Sequence, residues 1–131
     1  MAFGSAKLIK YLKDVKFSVN SYTMNQPSLV LATESIEDEE YFRTNLEKVI
    51  ATRESTKLKL KSLGFQFADS KANFIFATHP NKPAEEIMQA LRAEGIIVRH
   101  FKKPRIDNYL RISIGTDDEM QKLVDVLARI L

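Results

Sequence analysis

The sequence predicts an α+β fold, a two-layer small domain in which a long helix is followed by β-α-β-β-α, with the helices on one face of a small sheet. Three observations carry this. Apolar residues repeat at helical spacing at both ends of the chain but fall to a period of two, or to short runs, between about residues 65 and 114. The segments from Asn73 onward alternate between the two periods. The 131 residues are 44% hydrophobic and 28% charged, which suits one compact domain that needs no disulfide.

The elements follow in order. Residues 5–15 carry Leu8, Ile9, Leu12 and Val15 on one helical face, with Lys7, Lys10, Lys13 and Lys16 on a largely separate one. Residues 17–26 are polar and aromatic without a helical period, so they are expected to be extended or loop. Pro27 suits the first turn of another short helix, where its missing N–H costs nothing. The longest helical pattern covers residues 36–63, with Phe42, Leu46, Val49 and Ile50 on one stripe. Glu37, Asp38, Glu39 and Glu40 near its start, and Lys57, Lys59 and Lys61 near its end, complement the helix dipole. Gly64 supplies a left-handed stop.

Phe65-Gln66-Phe67 and Asn73-Phe74-Ile75-Phe76 then read as strands. Residues 83–94 form a helix with Ile87, Met88 and Leu91 inward, ended by Gly95. Residues 96–101 and 109–114 are strands joined by a basic loop, and Thr116-x-x-Glu119 is a capping box that opens the last helix. Linkers, repeats and low-complexity tracts are absent. The chain therefore reads as one domain over 1–131.

Composition narrows the function. The chain has no cysteine, which excludes disulfides, thiolate metal sites and a thiol nucleophile, and two histidines are too few for a histidine-based metal centre. A net charge of +3 is too mild to mark a nucleic-acid binder. No apolar run reaches the roughly 20 residues of a membrane span, and no secretory leader is visible, so a cytoplasmic location is expected. His79, before Pro80, is expected on a surface loop, and Phe74, Phe76 and Met88 are expected in the core. No complete catalytic set or metal spacing is found.

The final strand pair holds the best candidates. If Val98 faces the core, Ile96 shares its face while Ile97 and Arg99 point away. On the partner strand Leu110, Ile112 and Ile114 form the apolar face, leaving Arg111 and Ser113 opposite. In a hairpin, Arg99 and Arg111 then converge on one non-core face. Paired like charges repel, and an anion held by both guanidinium forks relieves that repulsion. A solvated outer sheet face explains the same residues, so from residue pattern alone both remain open. The run Arg99-His100-Phe101-Lys102-Lys103-Pro104-Arg105 also leaves open a stand-alone anion- or RNA-binding regulatory module, although RNA-binding loop and strand motifs are missing.

The ordered motifs A-N-F at 72–74, G-I-I-V-R at 95–99 and Y-L-R-I-S-I-G-T at 109–116, with an acidic helix start after them, resemble the C-terminal small domain of fold-type I aminotransferases. They lie nearest the histidinol-phosphate aminotransferase subgroup, and A-F-G-S-A-K-L-I-K-Y-L with F-S-V-N-S resembles the stretch where that family's chain crosses between domains. The resemblance implies a pyridoxal-phosphate enzyme of histidine biosynthesis, usually a homodimer. It exchanges an amino group between histidinol phosphate and 2-oxoglutarate, giving imidazole acetol phosphate and glutamate. It implies that Arg111 and Arg99 bind the substrate's phosphate or carboxylate, and that Asn20, Ser21 and Tyr22 lie near a subunit interface and active site. The cofactor machinery is implied to lie upstream, in a large domain, with the Schiff-base lysine in an S-K motif. No residue of this chain is then catalytic, cofactor-binding or metal-binding, and the chain alone is expected to be inactive. Residues 1–35 become the crossing segment between domains. Another class I/II aminotransferase, for aromatic or other amino acids, fits the same two arginines.

Overall fold

The computed structural model describes residues 3–19, 22 and 24–131. The chain divides into two compact units, Met1–Phe42 and Arg43–Leu131. In the first, α1 (Ala6–Val19) and α2 (Gln26–Glu37) are helical, and none of its described residues is buried. Residues 17–19, expected to be extended or loop, are helical. α1 continues through Lys16, Phe17, Ser18 and Val19, since no Gly or Pro interrupts it, and Ser18 Oγ donates to the Asp14 carbonyl at 2.7 Å. Asn25 caps α2 by accepting from Ser28 N, with Pro27 in the first turn as anticipated.

The long helix α3 covers Glu39–Ser62, three residues shorter at its start than the pattern suggested. Asp38 is the break: it closes α2, and its carboxylate accepts from Tyr41 N at 3.1 Å to open α3. Glu37 thus belongs to the preceding helix. At the far end Gly64, at φ +86°, completes a Schellman motif in which Gly64 N donates to Lys61 O and Phe65 N to Leu60 O.

The second unit holds a four-stranded antiparallel sheet, ordered β1-β2-β4-β3. Its strands are β1 (Gln66–Phe67), β2 (Phe74–Thr78), β3 (Arg99–His100) and β4 (Leu110–Ser113). The strand expected over residues 96–101 contracts to two residues. A second Schellman turn at Gly95, closed by Ile96 N donating to Leu91 O, occupies the chain before it. Helices α4 (Ala84–Ala93) and α5 (Asp117–Ile130) complete the unit, and α5 opens with the anticipated capping box. Asn108, in the basic loop, caps α4 by accepting from Ala84 N at 2.9 Å.

The core lies between one sheet face and the helices. It joins Ile75 and Ala77 of β2, Leu110 and Ile112 of β4, Ile87 and Leu91 of α4, Leu123 and Leu127 of α5, and Leu60 of α3. Ile96, Val98 and Ile114 pack against it, while Ile97 is 74% exposed, which matches the face assignment made from alternation. The expected stripe on α3 is not the buried one: Phe42, Leu46 and Ile50 are exposed. The buried face carries Thr52, Arg53, Thr56, Lys57 and Leu60, because its polar groups find partners there, such as Thr52 Oγ1 donating to Asp117 Oδ1 at 2.7 Å.

His79 is also buried, at 8% exposure, rather than on a surface loop. Its Nε2 lies 3.2 Å from the Leu63 carbonyl, its Nδ1 accepts from Asn81 N, and its ring meets Phe65 edge-on. The ring sits against the Gly64 turn: a Cβ on Gly64 would stand 3.1 Å from His79 Nε2.

Candidate anion site on the open sheet face

The sheet has a covered face and an open one, and period-two alternation decides which residue goes where. On β2, Ile75 and Ala77 face the helices, so Phe74 and Phe76 take the other side. This corrects their expected place in the core: both are half-buried on the open face, where apolar identity alone does not reveal the direction. Met88 of α4 is half-buried and packs against the core as anticipated.

On β4, Leu110 and Ile112 are buried, and Arg111 emerges between them on the open face. On β3, Arg99 is exposed and stands directly opposite Arg111 in the antiparallel register. Phe76 is register partner to Arg111 on its other side. Two arginines thus occupy facing positions, with neither making a side-chain hydrogen bond nor an ion pair among the described residues. Arg111 Cζ lies 4.8 Å from the Phe74 ring centroid, and Arg99 Cζ 4.9 Å from that of Phe101. Phe76 stacks on Tyr109 at 4.8 Å and meets Phe101 edge-on at 6.2 Å. Beside this row, a concavity of about 690 Å³ is lined by Phe67, Asp69, Phe74, Phe76, Arg105 and Tyr109 among others.

The floor of the site is braced from α3. Arg53 Nη1 donates to the Ala72 carbonyl at 3.3 Å, and Lys57 pairs with Asp69 and, at 2.8 Å, with Glu54. The Lys57 ammonium holds the Asp69 carboxyl down at about 2, and the two acids raise Lys57 in return. Ser70 Oγ donates to Phe74 O at 2.6 Å, and Ile114 N to Asn73 O at 2.9 Å. The A-N-F segment is therefore pinned on both sides as it enters β2. Sequence reasoning missed the four aromatic residues around the arginines. For two of them, Phe74 and Phe76, the F-I-F-A run is apolar throughout and its alternation carries no signal.

Of the other anticipated site residues, Asn20 and Ser21 lie outside the described residues. Tyr22 is described and exposed. The basic loop from Lys102 to Asn108 is a series of turns, with Arg105 at φ +73° and Lys102 paired to Glu85 at 2.6 Å.

The sequence matches the family described as aminotransferase class I and II over residues 1–127. The chain belongs to that family. Among relatives it is similar to the histidinol-phosphate aminotransferase of Brachyspira hyodysenteriae, at 48% identity over 99% of this chain and 37% of that protein. It is also similar to the one from Lactococcus lactis subsp. lactis, at 49% over 97% of this chain and 35% of that protein. The chain thus spans little more than a third of the length of the curated relatives it matches. The solved histidinol-phosphate aminotransferase from Clostridium acetobutylicum shares the fold, with a TM-score of 0.66, 22% identity, and coverage of 71% of this chain and 29% of that one.

Family membership raises the question of a pyridoxal-phosphate seat, for which a Schiff-base lysine must be desolvated and free to lose its proton. The letters S-K do occur once, at Ser70-Lys71, but Lys71 is 77% exposed and paired with Asp69 at 3.2 Å. Lys57, the one buried lysine among the described residues, is held protonated by two acids. Neither of these two lysines has the desolvated, readily deprotonated setting that such a bond needs.

Proposed function

We propose that this chain is the small domain of a pyridoxal-phosphate-dependent histidinol-phosphate aminotransferase of histidine biosynthesis. Its task there is to grip the substrate's phosphate, or a carboxylate, with Arg111 and Arg99 and to close over the reaction site. The observation that carries the reading is the facing Arg99–Arg111 couple on the open sheet face, without an ion pair among the described residues, in a chain nearly half identical to histidinol-phosphate aminotransferases over its own length. Two guanidinium forks can each give parallel N–H bonds to one anion, and an arginine pair without carboxylate partners keeps those donors available. In this reading the large domain of the same polypeptide supplies the cofactor, whose ring carries the amino-group chemistry. Residues 1–35 form the crossing to it, and residues 36–131 the compact body.

The parent is a cytoplasmic homodimer, with Asn20, Ser21 and Tyr22 near its subunit boundary, and it works on histidinol phosphate with glutamate and 2-oxoglutarate. No described helix is long and apolar enough to cross a membrane. Nucleic acid is not a partner in this reading, and the chain alone, given pyridoxal phosphate and both substrates, shows no turnover.

Titration of the purified chain with histidinol phosphate, inorganic phosphate and acetate, followed by amide chemical shifts, tests the assignment. The two phosphates should move resonances of β3 and β4 most, and Arg111→Ala should weaken their binding by roughly 10–100-fold, the scale of a lost charge-assisted pair. Binding of acetate as tight as that of phosphate favours an aminotransferase for other amino acids. Tight, salt-sensitive binding of an oligonucleotide instead of phosphate defeats the assignment.

A further inference from the structure

The structure shows something about how such an arginine pair is kept ready. Facing like charges on adjacent strands push each other apart, and long guanidinium side chains with no hydrogen-bond partner among the described residues would ordinarily sample many rotamers. Here each guanidinium instead lies over a phenylalanine ring. The negative ring face attracts the cation, and its flatness restrains the planar fork while using none of its N–H donors.

The rings are themselves held. Phe74 lies diagonally across the β2–β4 ladder from Arg111, because Phe76 is Arg111's register partner and Phe74 is that of Ser113. Its backbone is fixed by Ser70 Oγ, and the chain before it by Arg53 and Lys57. Phe101 follows Arg99 by two residues and meets the edge of Phe76, which stacks on Tyr109.

We propose that Phe74 and Phe101 are positioning residues for anion binding, each seating one arginine of the pair so that both forks meet the ligand without first being ordered. Ordering cost is then met at folding and not at binding. The proposal deepens the reading of Arg99 and Arg111 as an anion grip and rests on it.

The test uses the 131-residue chain, inorganic phosphate as probe, and the arginine Nε–Hε resonances. In the unsubstituted chain the Hε protons of Arg111 and Arg99 should be displaced upfield by the rings beneath them. Phe74→Leu should abolish that displacement at Arg111 and weaken phosphate binding by roughly 3–10-fold, the range of a half-buried cation–π contact. Phe74→Tyr, which keeps the ring, should restore both. Phe101→Leu should do the same to Arg99, and it serves in place of the Phe74 variant should that one fail to fold. Unchanged phosphate affinity in both leucine variants, with Arg111→Ala still weakening it, overturns the positioning role and leaves the anion grip standing. Unchanged affinity in Arg111→Ala and Arg99→Ala overturns the grip itself, and the positioning role with it.

Discussion

The two faces of β2 and β4 are built from alternate residues of the same short strands, yet they differ in every physical respect. Toward the helices run Ile75, Ala77, Leu110 and Ile112, all essentially without solvent contact. Toward the open side run Phe74, Phe76, Arg111 and, across the ladder, Arg99. These four covered side chains are aliphatic, and their contribution is hydrophobic burial. The open face gathers cations and aromatic rings, and its two guanidinium groups lie over phenylalanine rings. One face holds the fold together and the other carries the proposed anion grip, and a shift of one residue in register would exchange them.

The largest expected effect comes from cutting into the covered face. Ile112→Ala removes a side chain that is 1% exposed, in the middle of the core, and should destabilise the chain by about 2–5 kcal/mol in chemical denaturation. A loss under 1 kcal/mol would mean that this face is loosely packed and that the contrast between faces is overstated.

The next effect concerns the loop beside the open face. Arg105 is held at φ +73°, a conformation that costs an L-residue about 1–2 kcal/mol. Arg105→Gly relieves that strain but adds chain entropy to the unfolded state, so a net gain of about 0.5–1 kcal/mol in stability is expected. If thermal melting shows the glycine variant less stable, the Arg105 side chain contributes packing that outweighs its backbone strain.

Smaller still, and opposite in sign to the core cut, is the stability change from neutralising the arginine pair. Arg111→Gln removes a facing like charge from a position with no carboxylate partner among the described residues. Stability should stay level or rise by a few tenths of a kcal/mol, while phosphate binding falls. A destabilisation of 2 kcal/mol would place Arg111 among the groups that hold the fold together.

Much of this contrast was legible in the sequence, and the residues show why. Alternation along Leu110-Arg111-Ile112 assigns both faces without ambiguity, because charged and apolar residues take turns. Along Phe74-Ile75-Phe76-Ala77 every residue is apolar, so alternation says nothing, and the aromatic side was mistaken for core. On α3 the failure has another cause. Which stripe is buried depends on partners distant in sequence, Asp117 for Thr52 and Asp69 for Lys57, and helical periodicity sees only apolar residues. His79 is similar, since its burial follows from the turn at Gly64, fifteen residues earlier.

The smallest effect lies in acid, and it separates the faces by pH alone. Asp69, which ordinarily titrates near 3.8, is held down at about 2 by the hydrogen bond from Lys57 and then by that from Lys71, and Glu54 is lowered by Lys57 and Arg53. A carboxyl whose folded value is depressed stabilises the fold fully above its ordinary range, and that stabilisation drains away as pH falls through the depressed value. Between about pH 4 and pH 2 the chain should therefore lose stability through these pairs, all on the α3 side that braces A-N-F, and not through the covered face. Because the carboxylates are solvent-accessible, the loss should be modest. Denaturation midpoints measured across that range should fall with acid in the unsubstituted chain and fall less steeply in Asp69→Asn. Equal slopes would show that Asp69 is solvated in the folded state. The brace beneath Phe74 would then rest on Arg53 and Ser70, with no contribution from the buried lysine.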